Sequence, residues 1–85
     1  MNQKDKKAKD CGWMILSPGE AYERVLSKSS SVFILKEKKY WIVWRGYWFY
    51  KNNPKPTKEK TIISKATFDT ALTRANGYVN YVRNK

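Results

Sequence analysis

The chain reads as an α+β domain, an antiparallel meander of three or four strands with two short helices, behind a disordered basic N-terminal tail. Three observations predict this. Residues 32–36 and 40–50 are dense in β-branched and aromatic side chains and are interrupted by short polar runs, the composition of paired strands and their turns. Two other segments space apolar residues at helical intervals behind residues that cap helices. A length of 85 residues holds one small core and no more. The expected division is therefore a tail over residues 1–10 and a single domain over 11–85.

Taken in order, residues 1–10 carry four lysines and nothing apolar enough to anchor them, so disorder is expected. Trp13-Met14-Ile15-Leu16 suits a short strand. Ser17-Pro18-Gly19-Glu20 reads as a capping box with proline at the first helical position. Ala21, Tyr22, Val25 and Leu26 follow at helical spacing, which predicts a helix over 18–28. Residues 32–36 and 40–44 form a hairpin turning at Glu37-Lys38-Lys39. Arg45-Gly46 reads as a second tight turn into a strand over 47–51. The stretch 52–60 holds two prolines and three lysines and no apolar residue, so an exposed basic loop is expected. Residues 60–64 suit a fourth strand. A last helix begins at Thr67 or Asp69, with Phe68, Leu72, Ala75 and Val79 on one face. Asn76-Gly77 is a candidate end for it, and residues 78–82 fit either more helix or a strand.

Those turns place Leu35 opposite Tyr40, Phe33 opposite Ile42 and Ile34 opposite Trp41, and then Trp44 opposite Tyr47. Because side chains alternate, one face carries Phe33, Leu35, Tyr40, Ile42, Trp44, Tyr47 and Phe49. The other carries Val32, Ile34, Trp41, Val43, Trp48 and Tyr50. Neither face is polar. An antiparallel sheet with one wet side normally alternates apolar and polar residues, so both sides are covered, or one is an apolar working surface, or the chain pairs with a copy of itself. Thirteen aromatic residues, each burying on the order of 150–250 Å², are many for two helices of about three turns to cover.

Eighteen basic residues face seven acidic ones, a net charge of +11, and such a field draws polyanions. The single cysteine, Cys11, and the absence of histidine exclude an intramolecular disulfide and a Cys/His zinc site. No histidine is available as a general base, no glycine-rich phosphate loop is present, and the carboxylates have local explanations. Hence no enzymatic activity, cofactor, metal or small-molecule substrate is expected. Neither a secretion signal nor an apolar run of membrane-spanning length is visible, so a cytoplasmic protein without membrane attachment is expected.

Nucleic-acid binding needs cations for phosphates and flat rings or donors for bases. Lys36, Lys38 and Lys39 at one sheet end, Arg45 at the other, and Lys51, Lys55, Lys58 and Lys60 along the loop are the candidate phosphate contacts. Trp41, Trp48 and Tyr50 are the candidate stacking platforms, each stacked base contributing roughly 1–3 kcal/mol. The function expected is a small non-enzymatic nucleic-acid-binding protein, for DNA or RNA. The alternative is a small regulatory protein that binds and inhibits or modulates an acidic protein partner, such as a nucleic-acid-processing enzyme, because Trp, Tyr and Arg dominate protein-binding hot spots.

Overall fold

A computed structural model describes residues 2–48 and 56–84. The elements run α1 (Gln3–Asp10), β1 (Met14–Ser17), β2 (Ala21–Ser27), β3 (Ser30–Glu37), β4 (Tyr40–Tyr47), β5 (Lys58–Ala66) and α2 (Phe68–Arg83). The five strands form one antiparallel sheet in sequence order. The α+β class and the antiparallel meander stand, with a strand more than the three or four expected. Among the described residues no helix is long and apolar enough to cross a membrane.

The extra strand is β2, where the sequence predicts a helix over 18–28. Pro18 followed by Gly19 at φ 71° is the signature of a type II turn, which requires positive φ at its third residue. Glu20 N–H donates to the Ser17 carbonyl at 3.0 Å, and the Ser17 hydroxyl meets the Glu20 carboxylate at 3.3 Å. A capping box and a tight β-turn both bring residues three apart into contact, so the motif is ambiguous. What decides it is pairing. Tyr22 faces Ile34 and Arg24 faces Val32 across the β2–β3 ladder, burying Tyr22 completely.

A second correction concerns Arg45-Gly46, which is not a turn. β4 runs straight through both, with Gly46 opposite Ser31 and Tyr47 opposite Ser30. Tyr47 thus belongs to β4, and Trp48 follows it outside any strand. Residues 49–51 of the expected strand and 52–55 of the expected basic loop lie outside the described residues, while Lys58, Glu59 and Lys60, expected in that loop, open β5 because they pair with Tyr47, Gly46 and Arg45. The β3–β4 register is Leu35 with Ile42, Phe33 with Trp44 and Ile34 with Val43, two residues from the expected pairing. A two-residue slip preserves which face each side chain occupies, so the division of residues 32–35 and 40–44 into two faces survives. Without the turn, however, Tyr47 falls on the side of Arg45 and Trp41 instead of beside Trp44, and Trp48 packs against Phe33 instead of sharing the side of Trp41.

The N-terminal segment, expected as a disordered tail, forms α1. The Asn2 side chain caps it by accepting from Asp5 N–H at 2.8 Å, and Asp5 and Ala8 point inward. The Asp5 carboxylate accepts from the Tyr22 hydroxyl at 2.6 Å and from Gly19 N–H at 2.7 Å. Those two bonds tie helix, turn and sheet together, and a count of apolar residues misses them because the anchor is an acid.

α2 is capped by Thr67, whose side chain accepts from Thr70 N–H. It continues past Asn76-Gly77 because Val79 extends the buried stripe of Phe68, Ala71, Leu72 and Ala75. Asn76 serves a tertiary contact instead, accepting from the Trp13 indole N–H at 2.7 Å. Both helices lie on one side of the sheet: Ala8 of α1 and the α2 stripe share a core with Trp13, Tyr22, Val32, Ile34, Trp41 and Val43.

Candidate interaction surface

Among the described residues, no helix lies over the other side of the sheet. Residues paired across neighbouring strands share a face, so the register assigns Met14, Ala21, Glu23, Val25, Phe33, Leu35, Glu37, Tyr40, Ile42, Trp44, Gly46, Glu59 and Thr61 to this side. Met14, Val25 and Tyr40 are exposed, and Phe33, Leu35, Ile42 and Trp44 are half-buried.

At its centre three rings pack on one another. Phe33 and Trp44 stack with centroids 4.4 Å apart and planes 19° from parallel. Trp48 meets Phe33 edge-on at 6.0 Å. Gly46 forms the floor: a Cβ there would lie 2.9 Å from both Trp44 Cζ3 and Trp48 Cη2. The glycine read from sequence as a turn residue is needed so that two indoles can close over the strand. Each such ring pair contributes about 0.5–1.5 kcal/mol beyond its area.

Charge is divided by the same alternation. The paired residues of this face include Glu23, Glu37 and Glu59 and no lysine or arginine. Lys36 faces Trp41, Lys58 faces Tyr47, and Lys60 faces Arg45, all on the helix-bearing side. The lysines of α1, Lys4, Lys6, Lys7 and Lys9, are exposed on that side's outer helix. The single ion pair among the described residues, Lys7 to Asp69 at 3.2 Å, is exposed and links α1 to α2 with little energetic weight.

The predicted site residues are therefore dispersed. Trp41 is 4 % exposed, stacked on Tyr22 and edge-on to Phe68, so it is core and offers no platform to a base. Trp48 belongs to the outer ring cluster. Lys36, Lys38 and Lys39 sit at the hairpin end, with Lys58 and Lys60 at the opposite end of the sheet. Tyr50, Lys51 and Lys55 lie outside the described residues. Arg45 is held within the fold, donating to the Tyr78 hydroxyl at 2.9 Å and the Ser30 hydroxyl at 3.2 Å and lying over the Tyr47 ring at 4.5 Å. Its Nε is buried without a partner.

Around Arg45 two phenols diverge. Burial pushes Tyr78 up, but the hydrogen bond and charge of Arg45, with Lys60 nearby, outweigh that and hold it below the usual tyrosine value. Tyr47 is raised by burial and by its hydrogen bond to Tyr78.

Sequence reasoning overlooked Glu23 and Glu59 as members of the aromatic face, and Lys65 as a neighbour of the hairpin lysines. The two glutamates were legible only once β2 and β5 had a register. Compared with known proteins, the chain matches no family, no curated protein and no solved structure.

Proposed function

We propose that this is a small regulatory binding protein, without chemistry of its own, that holds a protein partner on the face of its sheet opposite the two helices. The observation that carries this reading is the division of the molecule into an apolar, aromatic, carboxylate-bearing face and a cationic helix-bearing side. A contiguous exposed apolar patch of this kind marks interaction surfaces, and buried aromatic anchors dominate their energetics. The partner that fits is an apolar patch or extended segment flanked by lysines or arginines that meet Glu23, Glu37 and Glu59. The acidic partner expected from net charge alone does not complement this face.

Nucleic acid suits the same face poorly. Phosphates would approach three carboxylates, and one face of Phe33 and one of Trp44 are already taken up by their mutual stacking. Polyanion binding remains the second reading for the helix-bearing side, favoured by Lys4, Lys6, Lys7 and Lys9 along one exposed helix. With about five phosphates neutralised on duplex DNA, log affinity would fall against log salt with a slope near −4 to −5.

The test places a photo-crosslinking amino acid at Val25 on the sheet face or at Arg74 on α2, in nuclease-treated extract of the source cells. The protein captured through Val25 is then purified and titrated. Val25→Asp should weaken its affinity at least ten-fold and Glu23→Lys several-fold, with Lys6→Glu unchanged. Equal affinity for parent and Val25→Asp would sink the reading, as would capture through Arg74 alone. Saturable indole quenching by an oligonucleotide, abolished by Val25→Asp, would instead restore nucleic acid to the sheet face.

A further inference from the structure

A groove of about 440 Å³ lies at the β3–β4 hairpin end, lined by Lys38, Lys39 and Lys65 together with Glu37, Tyr40, Trp41 and Ser64. That volume lies within the range of small-ligand sites, about 300–1,000 Å³. Three ammonium groups against one carboxylate leave a surplus of two positive charges. Tyr40 supplies an exposed ring.

The backbone provides the second observation. Among the described residues only two that are not glycine have positive φ, Lys38 at 57° and Lys65 at 53°. Both border this groove. Left-handed backbone is costly for a side chain with a Cβ, and glycine or asparagine is the usual occupant. Lys38 stands in the two-residue hairpin turn and Lys65 in the β5 irregularity between Ile63 and Ala66. Two lysines thus occupy two positions where the fold alone would favour glycine, and both line one cavity. Strained backbone of this kind gathers at functional sites.

From this coincidence we infer that the hairpin groove binds a nucleoside monophosphate, either free or as the phosphorylated end of a strand. The phosphomonoester, with about −1.5 to −2 charges at neutral pH, matches the ammonium surplus, and the base lies against Tyr40. The groove shares Glu37 and Tyr40 with the rim of the sheet face, but Lys38 and Lys65 belong to the groove alone, so variants at those two lysines test it independently of the protein-docking reading.

The experiment titrates the intact chain with a nucleoside 5′-monophosphate, the bare nucleoside and inorganic phosphate, followed by calorimetry or by amide shifts. A 5′-phosphorylated and a 5′-hydroxyl oligonucleotide separate a strand end from the free nucleotide. The monophosphate should bind at least ten-fold more tightly than nucleoside or phosphate alone. Lys38→Gly and Lys65→Gly should each weaken it at least five-fold while leaving Tm unchanged or higher, and Lys65→Arg should restore binding. Full affinity in both glycine variants would overturn the assignment. So would failure of the parent to bind either the mononucleotide or the phosphorylated strand.

Discussion

Replacing Gly46 by alanine tests the aromatic face through the sign of a stability change. Glycine in a strand interior ordinarily weakens it, and alanine at an unstrained position gains about 0.5–1 kcal/mol by restricting the unfolded chain. Gly46 has no positive φ to protect, so backbone reasoning alone predicts a more stable variant. The rings predict the reverse. The new Cβ would sit 2.9 Å from Trp44 Cζ3 and from Trp48 Cη2, and ordinary contact would require each indole to retreat by about 0.5 Å or more. Overpacking of this kind costs typically about 1–3 kcal/mol. Less the backbone gain, the net loss is about 0–2.5 kcal/mol with a midpoint of about 1, and that midpoint corresponds to a fall in Tm of roughly 4–8 °C for a domain of this size. Thermal unfolding by far-UV circular dichroism reads the stability, and near-UV dichroism with tryptophan emission reads whether the indoles have shifted. A variant as stable as the parent with unchanged aromatic signals would show that the two rings do not close over Gly46. A variant with altered aromatic signals and little loss of Tm would place the flexibility in the indoles themselves.

Other outcomes follow from the same contacts. The Tyr22 hydroxyl and then the Gly19 amide hold the Asp5 carboxyl below its usual range against the effect of burial, so its contribution is present above the unfolded value of about 3.9 and lost as pH falls through the lower folded value. Tm should therefore be level from about pH 5 to 8 and fall below about pH 4, and Asp5→Asn should lower the plateau and flatten the acid limb. Tyr22 is raised, by burial first and then by Asp5, so its contribution is present below the unfolded value of about 10 and stability should decline as pH rises beyond it. Gly19→Ala places a Cβ at φ 71° and should cost about 1 kcal/mol in urea unfolding; no loss would refute the type II turn. Arg45→Met removes the cation that holds Tyr78 down, so the titration midpoint of Tyr78, followed with ring-labelled tyrosine by NMR, should rise; an unchanged midpoint would refute that cause.

How much of this was legible follows from the range over which each signal acts. Thr67 as a candidate cap and the stripe Phe68, Leu72, Ala75, Val79 are local, and the sequence alone locates the start and the buried face of α2 by them, though not its end. β3 and the first half of β4 are local too, but a turn centred on Glu37 and Lys38 gives a register two residues from the observed one, in which Glu37 pairs with Tyr40. The failures share a different cause. Ser17-Pro18-Gly19-Glu20 satisfies two turn chemistries, and only the pairing of Tyr22 with Ile34 chooses between them. Arg45-Gly46 resembles a hairpin turn until the neighbouring indoles are placed, and then the glycine is a steric requirement of Trp44 and Trp48. α1 is held chiefly by a carboxylate that meets a tyrosine seventeen residues away, which no periodicity records.

The candidate surface illustrates why net charge misleads about local complementarity. Strand alternation sorts residues by the parity of their position once register is fixed. Glu23 pairs with Phe33, Glu37 with Tyr40 and Glu59 with Gly46, so three of the seven acids of a chain with charge +11 fall on the aromatic side. The strand cations Arg24, Lys36, Arg45, Lys58 and Lys60 fall by the same rule on the opposite side. Long-range attraction to polyanions, set by the total, and close-range docking, set by the face, thus point to different partners on different sides of one sheet. Charge reversal at Glu23 should therefore leave the salt slope of any oligonucleotide binding unaltered while weakening the protein partner, and reversal at Lys6 should do the opposite. If both substitutions moved both affinities together, one surface would serve both ligands and the two-sided description would fail.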